Sequence, residues 1–143
     1  MKILLLACLL IGLWGCGESP LLNHKTLSDR PGRTLDLVTS SFSNLNLAFE
    51  LQWSVGCPNL TDGCSFDLIF NQAVPTGAIL ASELWMPSMG HGSSPVEITQ
   101  VGSSHWNVSE AYFIMPGLWQ LKLKLTLPDG SSDEVIFNHT LKP

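Results

Sequence analysis

The run Trp119-Gln120-Leu121-Lys122-Leu123-Lys124-Leu125 alternates apolar and polar residues without a break. Successive side chains of a strand point to opposite faces, so this period of two makes one face dry and the other wet. Leu45, Leu47, Phe49, Leu51 and Trp53 repeat the pattern earlier in the chain. From Thr34 onward, short apolar runs alternate with turn formers at roughly the eight-to-twelve-residue spacing of a sandwich or barrel. Strands are expected near 35–40, 45–55, 65–70, 78–86, 96–101, 105–108, 110–115, 119–127 and 133–141. Pro128-Asp129-Gly130 reads as the turn of a hairpin between the last two. Met115-Pro116-Gly117 reads as a turn between 110–115 and 119–127. No stretch carries a long, capped 3.6-residue period, so little helix is expected. The 143 residues leave room for one domain, and five Trp and six Phe within a 45% hydrophobic composition are enough for its core.

The N-terminus is of a different kind. Lys2 precedes an apolar stretch over 3–13. That is shorter than the roughly 20 residues a membrane-spanning helix needs, and it has the length of the apolar part of a secretory signal. It ends in Leu13-Trp14-Gly15-Cys16, which resembles a bacterial lipobox, with Trp14 an unusual occupant. The expected organisation is a signal peptide over 1–15, a lipidated Cys16 opening a polar tether over 16–33, and a β-domain over 34–143. Lipid on Cys16 would hold that domain on a membrane of the bacterial cell envelope, in the periplasm or another extracytoplasmic space. An ordinary cleaved signal, releasing a free protein, is the alternative. Without Lys2, six Lys and Arg face twelve Asp and Glu, a formal charge of −6. That balance argues against a nucleic-acid partner, since phosphate binding needs a basic face.

Two further cysteines stand in Cys57-Pro58-Asn59-Leu60-Thr61-Asp62-Gly63-Cys64. The turn formers between them let the chain reverse. An exported domain lives in an oxidising compartment, and the mature chain offers no additional thiols for a tetrahedral metal site, so a disulfide is favoured over a thiolate metal pair.

One segment carries chemistry: Leu84-Trp85-Met86-Pro87-Ser88-Met89-Gly90-His91-Gly92. Met86 and Met89 are two of the three methionines beyond the signal, and the Pro, Ser and Gly around them read as a surface loop. Thioether sulfur with imidazole suits Cu(I). The thioether has no proton to lose and resists the oxidation that thiolates undergo outside the cytoplasm. Met115, His105 or His139 are candidates for further ligands, and Trp85 is placed either over the ion or, by alternation, in the core. Equally, the two methionines can cap one end of a sandwich as an apolar contact patch. The sequence contains no nucleophile elbow, His-Glu-x-x-His, P-loop or dinucleotide fingerprint, and no enzymatic activity is expected.

The Met86-Pro87-Ser88-Met89-Gly90-His91-Gly92 segment is followed by Ala111-Tyr112-Phe113-Ile114-Met115-Pro116-Gly117-Leu118-Trp119. In kind, order and spacing the pair resembles the YtkA-like/FixH-like family of small exported domains, over about 78–127. The resemblance implies an immunoglobulin-like β-sandwich and, in some relatives, copper delivery or oxidase assembly. It matches Met86, Met89 and His91 to the family's loop, and Met115, Gly117 and Trp119 to its second element. FixH-like proteins carry a transmembrane helix where this chain has a lipobox, and the Cys57–Cys64 loop is no part of the family pattern. The expectation is a tethered β-sandwich that binds copper, as Cu(I), through Met86, Met89 and His91, with Met115 as a fourth ligand. It would exchange the ion with a copper donor or acceptor protein. A non-catalytic envelope scaffold or interaction module is the alternative.

Overall fold

The computed structural model describes residues 37–143. The expected signal peptide 1–15, lipidated Cys16 and tether 16–33 lie outside them. Nine strands follow in order: β1 (Leu37–Phe42), β2 (Leu47–Trp53), β3 (Cys64–Phe70), β4 (Ile79–Met86), β5 (His91–Gly92), β6 (Glu97–Gly102), β7 (His105–Ala111), β8 (Gly117–Thr126) and β9 (Ser132–Leu141). A single 3-10 turn, Ser43–Leu45, joins β1 to β2. No α-helix occurs among the described residues.

The strands form two antiparallel sheets, ordered β1-β2-β3-β7-β6 and β5-β4-β8-β9. With β1 set aside, the orders β2-β3-β7-β6 and β5-β4-β8-β9 reproduce the A-B-E-D and C′-C-F-G sheets of an immunoglobulin-like sandwich. The chain leaves the first sheet after β3, builds β4 and β5, returns for β6 and β7, and closes with the β8–β9 hairpin.

Alternation decides what each strand buries. Leu47, Phe49, Leu51 and Trp53 of β2 point inward, as do Trp119, Leu121, Leu123 and Leu125 of β8. On β8 the outward Lys122 donates to Glu83 of β4 at 3.1 Å and lies 4.7 Å from the Trp85 ring centre. Aromatic rings gather at both ends of the interior between the sheets. At one pole Phe42, Phe49 and Phe70 pack with centroids 5.1–6.2 Å apart. At the other, Trp53 meets Phe66 at 4.8 Å and Phe113 at 6.0 Å, and Phe113 meets Trp119 edge-on at 5.7 Å. Such ring pairs add about 0.5–1.5 kcal/mol each beyond the area they bury. At the second pole β2, β4, β7 and β9 end and β1, β3 and β8 begin.

Two expectations need correction. No strand spans 110–115: β7 runs through to Ala111, and 112–116 is irregular. The pairing of β3 with β7 slips between Phe66↔Val108 and Cys64↔Ala111, where β7 carries one extra residue. Glu110 sits in that bulge at φ +60°, and the resulting bend sends Phe113 down into the core instead of along the sheet. Likewise Leu45, expected inside the second strand, belongs to the 3-10 turn before it. The Cys57–Cys64 disulfide is present and closes the β2–β3 connection. Ser54 pins the base of that connection, its N–H and Oγ both donating to the Ser65 carbonyl at 2.9 and 2.8 Å.

Candidate metal centre

The β4–β5 connection is a tight hairpin. Met89 N–H donates to the Met86 carbonyl at 3.1 Å across a four-residue turn. Pro87 holds the second position, which its ring geometry favours, and Gly90 takes the left-handed conformation (φ 66°) needed to return the chain. The turn sets the fates of the two methionines. Met86 ends β4 on the same inward parity as Leu80 and Leu84, and its side chain is only 3% exposed. Met89 stands on the turn, 58% exposed. Met86 is therefore a core residue and not part of a surface loop, and it is Trp85 that faces outward, against Lys122.

His91 is the ladder partner of Met86. Directly opposed residues share a face, so the half-buried imidazole lies on Met86's side of the sheet. Its Nδ1 is 3.1 Å from the Gly92 carbonyl oxygen. A carbonyl only accepts, so in the neutral ring Nδ1 holds the proton and Nε2 offers its lone pair, the arrangement common in metal-binding histidines. Met115 is half-buried against the core at the end of the 112–116 segment. Its carbonyl accepts from Trp119 Nε1 at 2.9 Å. This is the position and role of the tyrosine corner of immunoglobulin-type domains, with an indole in place of the phenol. Two residues on, Gly117 adopts φ 133°, and a Cβ there would lie 2.5 Å from the Met86 methyl. Glycine at 117 thus lets the Met86 thioether reach the start of β8.

The pole therefore brings Met86, His91 and the Met115 segment to one end of the interior, with Met89 outside on the rim. Of the other histidines, His139 belongs to this pole: it pairs with Trp119 across β8–β9 and meets Trp53 edge-on at 5.4 Å. Sequence reasoning could have placed it there, because it shares parity with Val135 and Phe137 on β9. His105 does not belong. It opens β7 on the outer face of the other sheet, where its Nε2 lies 2.9 Å from Asp67 Oδ1, an oxygen that also accepts from Asn107 at 3.0 Å. Among the described residues no three His, Cys, Asp or Glu side chains converge, so a metal centre at this pole would have to draw on thioether sulfur.

Tyr112 ties the disulfide loop to the hairpin. Its ring lies about 3 Å from where a Cβ on Gly63 would stand, and its carbonyl accepts from Ser93 Oγ at 2.5 Å. Its hydroxyl donates to Glu110 at 2.6 Å, and this bond, reinforced by the nearby carboxylate charge, raises the phenol pKa above its ordinary value. Because the folded-state value is raised, the added stability is present below the unfolded phenol's value of about 10 and is lost as pH climbs through the folded one. Tyr112 is the only tyrosine in the chain, so tyrosinate absorbance at 295 nm reports it alone. The titration midpoint is expected to fall when Glu110 is changed to Gln, and an unchanged midpoint would dismiss the bond as its cause.

No protein-family model, no curated protein and no solved structure matches this chain.

Proposed function

We propose that the chain is a membrane-anchored copper-binding protein of the bacterial envelope, holding Cu(I) or passing it to a partner through the Met/His pole. The observation that carries this reading is His91. Its ring is oriented by the Gly92 carbonyl so that Nε2 is a bare donor, two residues from the exposed Met89 thioether and facing the same interior as Met86. A soft, uncharged donor set of this kind selects Cu(I) over hard cations. Met89 and His91 would capture the ion at the rim, and Met86 and Met115 would complete its coordination from inside. The resemblance to YtkA-like/FixH-like domains points the same way. The lipobox at Cys16 supplies the anchor.

A second reading, a non-catalytic interaction module that uses Met89 as a contact, draws on the exposure of that side chain. Competition for Cu(I) against a chromophoric chelator, using the chain from residue 17 onward, separates the two. Tight one-to-one binding is expected, with loss of most of the affinity in the Met89→Leu/His91→Ala variant. Leucine keeps the size and apolarity of Met89, so a contact patch would tolerate that change alone. Failure of the unaltered protein to compete would remove copper from consideration.

A further inference from the structure

The flanks of the sandwich are largely polar or self-paired, as at Glu83–Lys122, but the Met86 pole is not. Six of the nine large apolar side chains that stand exposed among the described residues lie there: Leu37, Val55, Met89, Tyr112, Ile114 and Leu118. They come from β1, the β2–β3 connection, the hairpin turn, the 112–116 segment and β8. No single strand's alternation explains their concentration. The remaining three, Ile79, Val101 and Ile136, are scattered over other parts of the surface.

Leu37 adds a direction. It is the first described residue and pairs with Gln52, next to Trp53, so the chain enters the sandwich at this pole. Residues 17–36 alone separate Cys16 from it. Even fully extended they reach no more than about 70 Å. An acyl chain on Cys16 would therefore keep the apolar pole near a bilayer at high effective concentration.

We infer that the Met86 pole docks directly on the lipid bilayer, Leu37, Val55, Tyr112, Ile114 and Leu118 entering the interface between headgroups and acyl chains. The inference rests on the proposed acylation of Cys16. Asp62 and Glu110, the latter bonded by Tyr112, are carboxylates of this end and stand against the exposed Lys142 just after β9. The pole therefore suits a zwitterionic surface better than an anionic one. Docked this way, the Met89 and His91 side chains would lie at the membrane surface.

The test uses the mature acylated protein, beginning at Cys16, in phosphatidylcholine vesicles, with acylation of Cys16 verified by mass spectrometry. Cys8 leaves with the signal peptide, the Cys16 sulfur carries the lipid, and Cys57 and Cys64 are joined, so an introduced cysteine is the only free thiol of the mature protein. One nitroxide is placed through Ile114→Cys, where the native side chain is 57% exposed, and another through Val101→Cys, 59% exposed and away from the pole. On vesicles the label at 114 is expected to gain collisions with oxygen and lose most of its collisions with a water-soluble nickel complex, while the label at 101 stays water-accessible. Water accessibility at both positions with the acyl chain in place overturns the inference and leaves the lipoprotein reading standing. Loss of both kinds of collision at 114 marks a second copy covering the pole and overturns it as well. Absence of an acyl chain on Cys16 overturns the lipoprotein reading and the inference together.

Discussion

Truncating Trp119 to Ala is expected to lower the unfolding free energy by about 3–5 kcal/mol, the usual cost of removing a fully buried large aromatic ring. Trp119 is 0% exposed, packs edge-on against Phe113 and donates its indole N–H to the Met115 carbonyl. The truncation opens a cavity at the pole and strands that carbonyl. A typical domain is stable by only about 5–15 kcal/mol, so the variant should unfold at a much lower urea midpoint with little change in slope. Trp119→Phe separates the two contributions. It keeps most of the ring and loses the hydrogen bond, so a cost nearer 1–3 kcal/mol is expected, the penalty for an unsatisfied buried group. If the phenylalanine variant were as stable as the parent, the indole–carbonyl bond would not be what holds the 112–116 segment in place.

The second large effect is expected at the disulfide. Replacing Cys57 and Cys64 together by Ala removes a cross-link spanning a sequence separation of 7. On the chain-entropy account, opening so short a loop costs about 2.5 kcal/mol. The consequences should spread beyond stability, because Gly63 of this loop supports the Tyr112 ring and Tyr112 accepts from Ser93 just beyond β5. In native-state hydrogen exchange the amides of 112–116 and of the hairpin should lose protection together. Loss confined to 54–63 would show that the disulfide loop acts alone.

The fold was readable where period-two patterning is strong. The inward set Trp119, Leu121, Leu123 and Leu125 follows directly from alternation, and it needs a facing sheet to cover it. The disulfide was readable from compartment and turn chemistry. The bulge at Glu110 was not, since glutamate carries no local preference for a positive φ; the apolar run after it looks like a strand until the slip in β3–β7 pairing bends it inward. At the candidate site, the types of residue were legible and their depths were not. Met86 closes the strand expected over 78–86 and also opens the Pro-, Ser- and Gly-rich segment that reads as a loop; the parity of Leu80 and Leu84 assigns it to the interior. Its reach to the start of β8 depends on Gly117, whose missing Cβ leaves room for the Met86 methyl across strands. The bare Nε2 of His91 likewise depends on a backbone carbonyl whose direction only the folded hairpin fixes.

The entry of the chain at Leu37 and the end of β9 at Leu141 lie at one pole, and this has a practical side. A polyhistidine purification tag appended after Pro143 would hang its imidazoles beside Met89 and His91, where they would titrate copper in their own right and blur any measured stoichiometry. The Asp129–Gly130 turn at the far end, held by the bonds from Ser131 to Asp129, gives an affinity handle or fluorophore the full length of the sandwich as separation.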